Sequence, residues 1–180
     1  KFMDIKIISC ANSRCGIGRY TQELGSKLYD WGEDVTVYRK DKAKAKAPIF
    51  KVYPHRSFRN LRHFVAPYYL SRAIKNRKAD IWHADYVDAA SAFAYFNKKP
   101  VNNLFVNVHD AIPFIFPTSR IAFQFYKAQL RFAAKYANKI IVVSETSKLD
   151  LVKHTDIRPE RIEVIYNGIN HDLFYSDPIM

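Results

Sequence analysis

Ile5-Lys6-Ile7-Ile8-Ser9-Cys10-Ala11-Asn12-Ser13-Arg14-Cys15-Gly16-Ile17-Gly18-Arg19-Tyr20 joins an apolar run to a short polar loop with two glycines and then to an amphipathic stretch. In that stretch Ile17, Tyr20, Leu24, Leu28 and Trp31 recur at steps of three and four, while Arg19, Glu23, Lys27 and Asp30 take the opposite face. A buried strand that turns through glycines into a helix packed upon it is the opening unit of a strand-helix-strand fold.

The same alternation continues outward. Short apolar runs at 34–38, 49–53, 80–83, 103–109, 139–143 and 161–166 read as further strands, several of them apolar on both faces, as in a parallel sheet covered on both sides. A second helix is expected over 120–137 and a third from Ser144, whose hydroxyl suits the free amides of Glu145 to Ser147. The expected fold class is α/β, a Rossmann-like open parallel sheet with helices on both faces. With 180 residues, 48% hydrophobic and 15% aromatic, the chain fits one domain, and no repeat is visible. Cys10 and Cys15 have no partners to complete a metal tetrad, which fits a reduced, cytoplasmic protein. No apolar run approaches the roughly 18 residues of a membrane span, and the first residues do not read as a signal peptide.

The formal charge of +12 has a location. Residues 39–78 hold thirteen Lys and Arg against one acid, Asp41, and the rest of the chain is neutral by count. Within that segment Arg56, Arg59 and Arg62 intersperse with Phe58, Leu61, Phe64, Val65, Tyr68 and Tyr69, a mixture suited to an anionic membrane surface. A solvated charged face with aromatics turned inward, interrupted at Pro67, is the other reading.

In open parallel sheets ligands bind beyond the carboxyl ends of the strands, which selects the segments 11–19, 109–119 and 167–174. Gly16 and Gly18 open a helix and suit a phosphate cradle, or form a plain turn. They do not make a dinucleotide fingerprint, because Thr21 fills the third glycine position; Arg39 after the second strand remains a candidate for a 2′-phosphate. His109 and Asp110 end the fifth strand where an imidazole can meet sugar hydroxyls or developing charge, or else pair to satisfy a loop backbone. Asn167-Gly168 alone indicates a turn.

Together these segments resemble the family-4 retaining glycosyltransferases. Gly16-Ile17-Gly18-Arg19-Tyr20, His109-Asp110 with Pro113 and Pro117, Ser144-Glu145-Thr146-Ser147, and Val164-Ile165-Tyr166-Asn167-Gly168-Ile169 with Phe174 match its order and spacing from Ile5 to Phe174. The resemblance implies a GT-B enzyme of two Rossmann-like domains facing across a cleft. Residues 1–174 correspond to the N-terminal, acceptor-side domain and 175–180 to the start of the linker. The donor-binding domain with its Glu-x7-Glu motif is absent, so the chain is expected to be an inactive fragment by itself.

The resemblance further implies that Gly16, Ile17, Gly18 and Arg19 lie against the donor diphosphate or sugar, that His109 contacts that sugar, and that Asp110 orients the loop. Asn167 and Gly168 lead toward the hinge. Cys15 stands where the family usually has another glycine. The implied donor is a nucleotide-sugar, with GDP-mannose suggested by Val108-His109-Asp110-Ala111-Ile112-Pro113, and no metal or other cofactor is expected. The implied acceptor is a saccharide or a lipid-linked one, with peripheral contact at the inner face of an anionic membrane. Rival readings are a basic nucleic-acid-binding module, whose binding would be strongly salt-dependent, and an NADP-dependent reductase.

Overall fold

A computed structural model describes residues 2–41, 45–52, 62–96, 102–117, 119–169 and 171. Seven strands form one parallel sheet: β1 (Asp4–Ile8), β2 (Asp34–Arg39), β3 (Ile49–Lys51), β4 (Ile81–Ala84), β5 (Leu104–Val108), β6 (Lys139–Val142) and β7 (Ile162–Val164). Their spatial order is β3-β2-β1-β4-β5-β6-β7. The chain builds outward from β1 to β3, then returns to lay β4 on the other side of β1. The junction of β1 and β4 is therefore the topological switch point.

The helices are α1 (Gly16–Asp30), α2 (Arg62–Ile74), α3 (Val87–Ala90), α4 (Ala92–Phe96), α5 (Ile112–Ile115), α6 (Arg120–Tyr136) and α7 (Glu145–His154). Strand residues alternate between two cores. Ile5, Ile7, Val35 and Val37 pack with Leu24 and Leu28 of α1. Their neighbours Ile8, Tyr38, Trp82, Ala84, Val106, Val108, Ile140 and Val142 join Leu70 and Ile74 of α2, Leu130 and Ala133 of α6, and Leu151 of α7. Both faces thus bear helices, as the apolar strands require.

Several boundaries differ from the expected ones. The first strand stops at Ile8 and the fifth at Val108, so Ser9, Cys10 and His109 belong to loops. Ser9 explains the first case, since its hydroxyl accepts from the amide of Ala11 and starts a turn. The last strand covers Ile162–Val164 alone, and Ile165 and Tyr166 are exposed. Trp31, expected on the buried stripe, is the C-cap of α1 and stands 75% exposed.

Pro67 does not interrupt a helix: α2 runs through it. The missing N–H forfeits one backbone hydrogen bond, and burial of Ala66, Leu70 and Ile74 on the sheet offsets the loss. Of the basic segment, Arg56 and Arg59 lie outside the described residues, as does the side chain of Arg62. Arg72, Lys75, Arg77 and Lys78 are exposed, whereas Arg39 is fully buried. Ser144 caps α7 as expected, accepting from the amide of Ser147 at 3.1 Å.

Candidate active site

The loop after β1 is tied down from below. Asn12 turns it, taking the amide of Arg14 on its side chain and that of Cys15 on its carbonyl. Ser13 donates through its amide, at 3.0 Å, and its hydroxyl to Asp41 Oδ2, while Asp41 Oδ1 accepts from Arg39 Nε at 3.0 Å. The guanidinium also reaches the carbonyl of Gly18 at 3.5 Å. Burial favours a neutral Asp41, but the Ser13 donors and the Arg39 charge outweigh it and hold its carboxyl below the usual range. Arg39 is therefore an internal strut with its charge committed to Asp41, and it does not present itself to a 2′-phosphate.

The two glycines do different things. A β-carbon on Gly18 would collide with the carbonyl of Asn12, so this glycine serves the loop's packing on α1 and not the approach of a ligand. At Gly16 a β-carbon would meet nothing within 4 Å, which leaves the first turn of α1 open. Cys15 sits at φ −101°, ψ 164°, an extended conformation open to any residue, so its departure from glycine costs no backbone strain. Ile17 is half-buried and Arg19 exposed beside that opening.

Across the switch point stands a cluster of rings. Tyr20 of α1 lies edge-on to His109, centroids 5.2 Å apart, with its hydroxyl 3.4 Å from Nε2 of His83 at the end of β4. Tyr86 also stacks on His109, centroids 6.2 Å apart and planes within 29°. His109 Nε2 lies 3.1 Å from the carbonyl oxygen of Asp85. A carbonyl only accepts, so Nε2 carries the proton and the neutral ring keeps its lone pair on Nδ1. Burial lowers the pKa of His109 against the opposing pull of that carbonyl and of Asp110, which favours the neutral ring. Burial also pushes His83 down to about 4 and Tyr20 up to about 12, so the imidazole and the phenol stay uncharged near neutrality.

Asp85 itself is fully buried. Its Oδ2 accepts from Thr21 at 2.7 Å, and its other oxygen, beside Ser9, lacks a hydrogen bond of good geometry. Burial raises this carboxyl to about 7. The buried amide of Asn107, near Tyr20, is likewise unsatisfied. Asp110 behaves as a loop holder, with Oδ1 accepting from Ile112 N at 3.0 Å and its carbonyl accepting from Tyr126 at 3.2 Å. Ser147 Oγ donates to the carbonyl of His109 at 3.2 Å, tying in the start of α7.

The structure thus brings together the Gly16 turn, Tyr20 and His109 with Asp110. Asn167 and Gly168 are exposed beyond β7 and make no hydrogen bond to that cluster among the described residues. Sequence reasoning missed Tyr20, His83, Asp85 and Thr21. The strand-end rule points to His83 and Asp85 once β4 is known to lie beside β1. Among the described residues no group of three His, Cys, Asp or Glu is arranged to hold a metal.

The open parallel sheet, with a glycine turn and an imidazole cluster gathered at its switch point, is a Rossmann-like α/β fold, and the solved structures it is similar to are GT-B glycosyltransferases. A family model described as Glycosyltransferase Family 4 matches residues 15–173, and the chain belongs to that family. Similar solved structures include Anabaena HepE in complex with UDP-glucose, with TM-score 0.69, 18% identity, 98% of this chain and 47% of that one covered. Sucrose-phosphate synthase from Thermosynechococcus elongatus gives TM-score 0.73 at 16% identity over 95% and 49%. The O-antigen chain mannosyltransferase RfbU of Salmonella typhimurium is 32% identical over 74 residues, 41% of this chain and 21% of RfbU. The chain spans about half the length of these solved structures.

Proposed function

We propose that this domain forms the acceptor-side wall of a retaining glycosyltransferase that moves a sugar, mannose from GDP-mannose, onto a saccharide or lipid-linked acceptor. The carrying observation is His109, half-buried at the switch point, its Nε2–H fixed on the Asp85 carbonyl and Nδ1 left to accept. The name of RfbU supports mannose, and the UDP-glucose held by HepE supports a nucleotide-sugar donor. No metal or other cofactor enters the proposal.

In the reaction the bond from the anomeric carbon to the diphosphate breaks and a bond to the acceptor oxygen forms on the same face. The acceptor proton passes to the leaving diphosphate. His109 Nδ1 accepts from a hydroxyl of the transferred sugar, and the open turn at Gly16, Ile17 and Arg19 offers amides and positive charge to the diphosphate. Asp110 holds the His109 loop, and Asn167-Gly168 leads toward the second domain. The protein acts at the cytoplasmic face of a membrane, with Arg56, Arg59 and Arg62 toward anionic lipid.

Incubation of the two-domain protein with radiolabelled GDP-mannose or UDP-glucose and a lipid extract tests the reading. Transfer with retained anomeric configuration is expected, faster from GDP-mannose. Inverted product, or no transfer from either donor, overturns it. Co-sedimentation with anionic vesicles should weaken with salt and fall in the Arg56→Glu/Arg59→Glu/Arg62→Glu variant; equal recovery on neutral vesicles removes the membrane role.

A further inference from the structure

By count the chain outside 39–78 is neutral, yet the fold sorts those charges unevenly. α6 contains no acidic residue, and Lys127, Arg131 and Lys135 follow each other along it at steps of four. They form one stripe over about 12 Å of helix. The stripe walls a groove of about 490 Å³. The other wall is the end of α7 with Lys153 and His154, and Phe114, Leu130 and Ile157 supply apolar lining. The His154 and Phe114 rings lie parallel within 12°, centroids 5.8 Å apart, at one end.

Four fixed cations line this concavity with a single carboxylate, Asp156. Among the described residues none of the four is ion-paired. Lys153, His154 and Lys135 sit in last turns, where they complement helix dipoles. Lys127 and Arg131 have no such reason, and like charges four apart on a helix repel each other. Lys127 lies over the ring of Phe123 at 5.5 Å, a contact that leaves its hydrogens free for an anion.

We propose that the groove between α6 and α7 is a binding site for a soluble organophosphate of sugar-phosphate or nucleotide size. Lys127, Arg131 and Lys153 take the phosphate, and Phe114 and Ile157 carry the apolar part of the ligand. The volume falls within the roughly 300–1,000 Å³ of small-ligand sites. A planar guanidinium fork beside two ammonium groups suits a phosphate dianion. Concavity favours a discrete ligand over a flat membrane. The groove uses neither His109 nor the Gly16 turn, so the site stands or falls apart from the proposed transferase reaction.

Isothermal titration of the full chain with inorganic pyrophosphate tests the site. Because the proposed diphosphate turn would also take this probe, the groove is read in the Arg14→Ala/Arg19→Ala background, where saturable binding is expected to persist and to fall at least tenfold when Lys127→Glu/Arg131→Glu is added. If the charge-reversed protein does not melt cooperatively, Lys127→Gln/Arg131→Gln replaces it with the same expectation. Absence of saturable binding, equal affinity in the groove variants, or loss confined to the loop variant overturns the proposal. So does capture by phosphatidic acid vesicles without binding of free pyrophosphate.

Discussion

The Nε2–H of His109 donates to the carbonyl oxygen of Asp85 across 3.1 Å, joining the loop after β5 to the loop after β4. That bond leaves Nδ1 as the ring nitrogen with a lone pair to offer. In the proposed two-domain transferase His109→Ala should lower turnover by about a hundredfold, the scale on which one preorganised hydrogen-bonding group acts. The variant should keep its melting temperature within a few degrees. Steady-state rates beside a thermal melt check this, and near-normal turnover returns His109 to a purely structural role.

Gly18 and Gly16 should separate under the same substitution. Gly18→Ala drives a β-carbon into the Asn12 carbonyl and should cost about 1–3 kcal/mol, the range for overpacking a closed site. Gly16→Ala meets open space, and its effect should stay within about 0.5 kcal/mol. Urea denaturation of both variants measures the difference. Equal costs would mean that the loop does not rest on α1 as described.

Removing Arg39 should be costlier than removing any exposed arginine nearby. Arg39→Met leaves the partly exposed Asp41 without its ion pair, held by the Ser13 donors alone, and loss of a charged hydrogen bond of this kind costs about 1.5–3 kcal/mol. Arg72→Met, on the exposed side of α2, should change stability by less than about 0.5 kcal/mol. The burial of Arg39 means that fluorescence titration with NADPH should show no saturable binding; a tight NADPH complex would revive the reductase reading.

His83 and Asp85 should pull the pH dependence of stability in opposite directions. His83 titrates at about 4 when folded against an ordinary 6.5, so the unfolded chain binds more protons in between and this contribution rises with pH through that window. Asp85 titrates at about 7 when folded against an ordinary 3.8, so the folded chain holds the proton and this contribution falls as pH rises toward 7. Asp85→Asn should therefore steepen the rise in urea midpoint between pH 4 and 6.5, and His83→Gln should turn the same interval downward. Identical slopes in both variants and the parent would refute the assignment.

The sheet was legible in the sequence because a strand buried on both faces must be apolar at nearly every position, as Ile5, Ile7 and Ile8 are. Helices α1, α6 and α7 were legible from periodicity and the Ser144 cap. α3, α4 and α5, at four or five residues each, are too short to show a period, and Pro67 hid α2 although packing carries the helix through it. At the site His109 was visible from its place after an apolar run. Tyr20 was not, because its spacing puts it on the buried stripe of α1, and a ring that touches His109 satisfies the same pattern as one that touches leucine. Asp85 and Arg39 could not be placed without the strand order, which periodicity does not reveal.

That order also governs assembly in time. During synthesis β1, β2 and β3 emerge in the sequence in which they stack, but the inner edge of β1 stays bare until its partner arrives; Asp4 and Asp80, whose backbones bond there, are 76 residues apart. A bare central strand is the edge most prone to pairing with another chain, and the long separation makes its closure slow. Once Ile81–Ala84 docks, β5, β6 and β7 each join the edge just made, without further long returns. The vulnerable interval on the ribosome thus ends with β4, and α2, with Leu70 and Ile74 in the shared core, arrives just ahead of the strand that closes it.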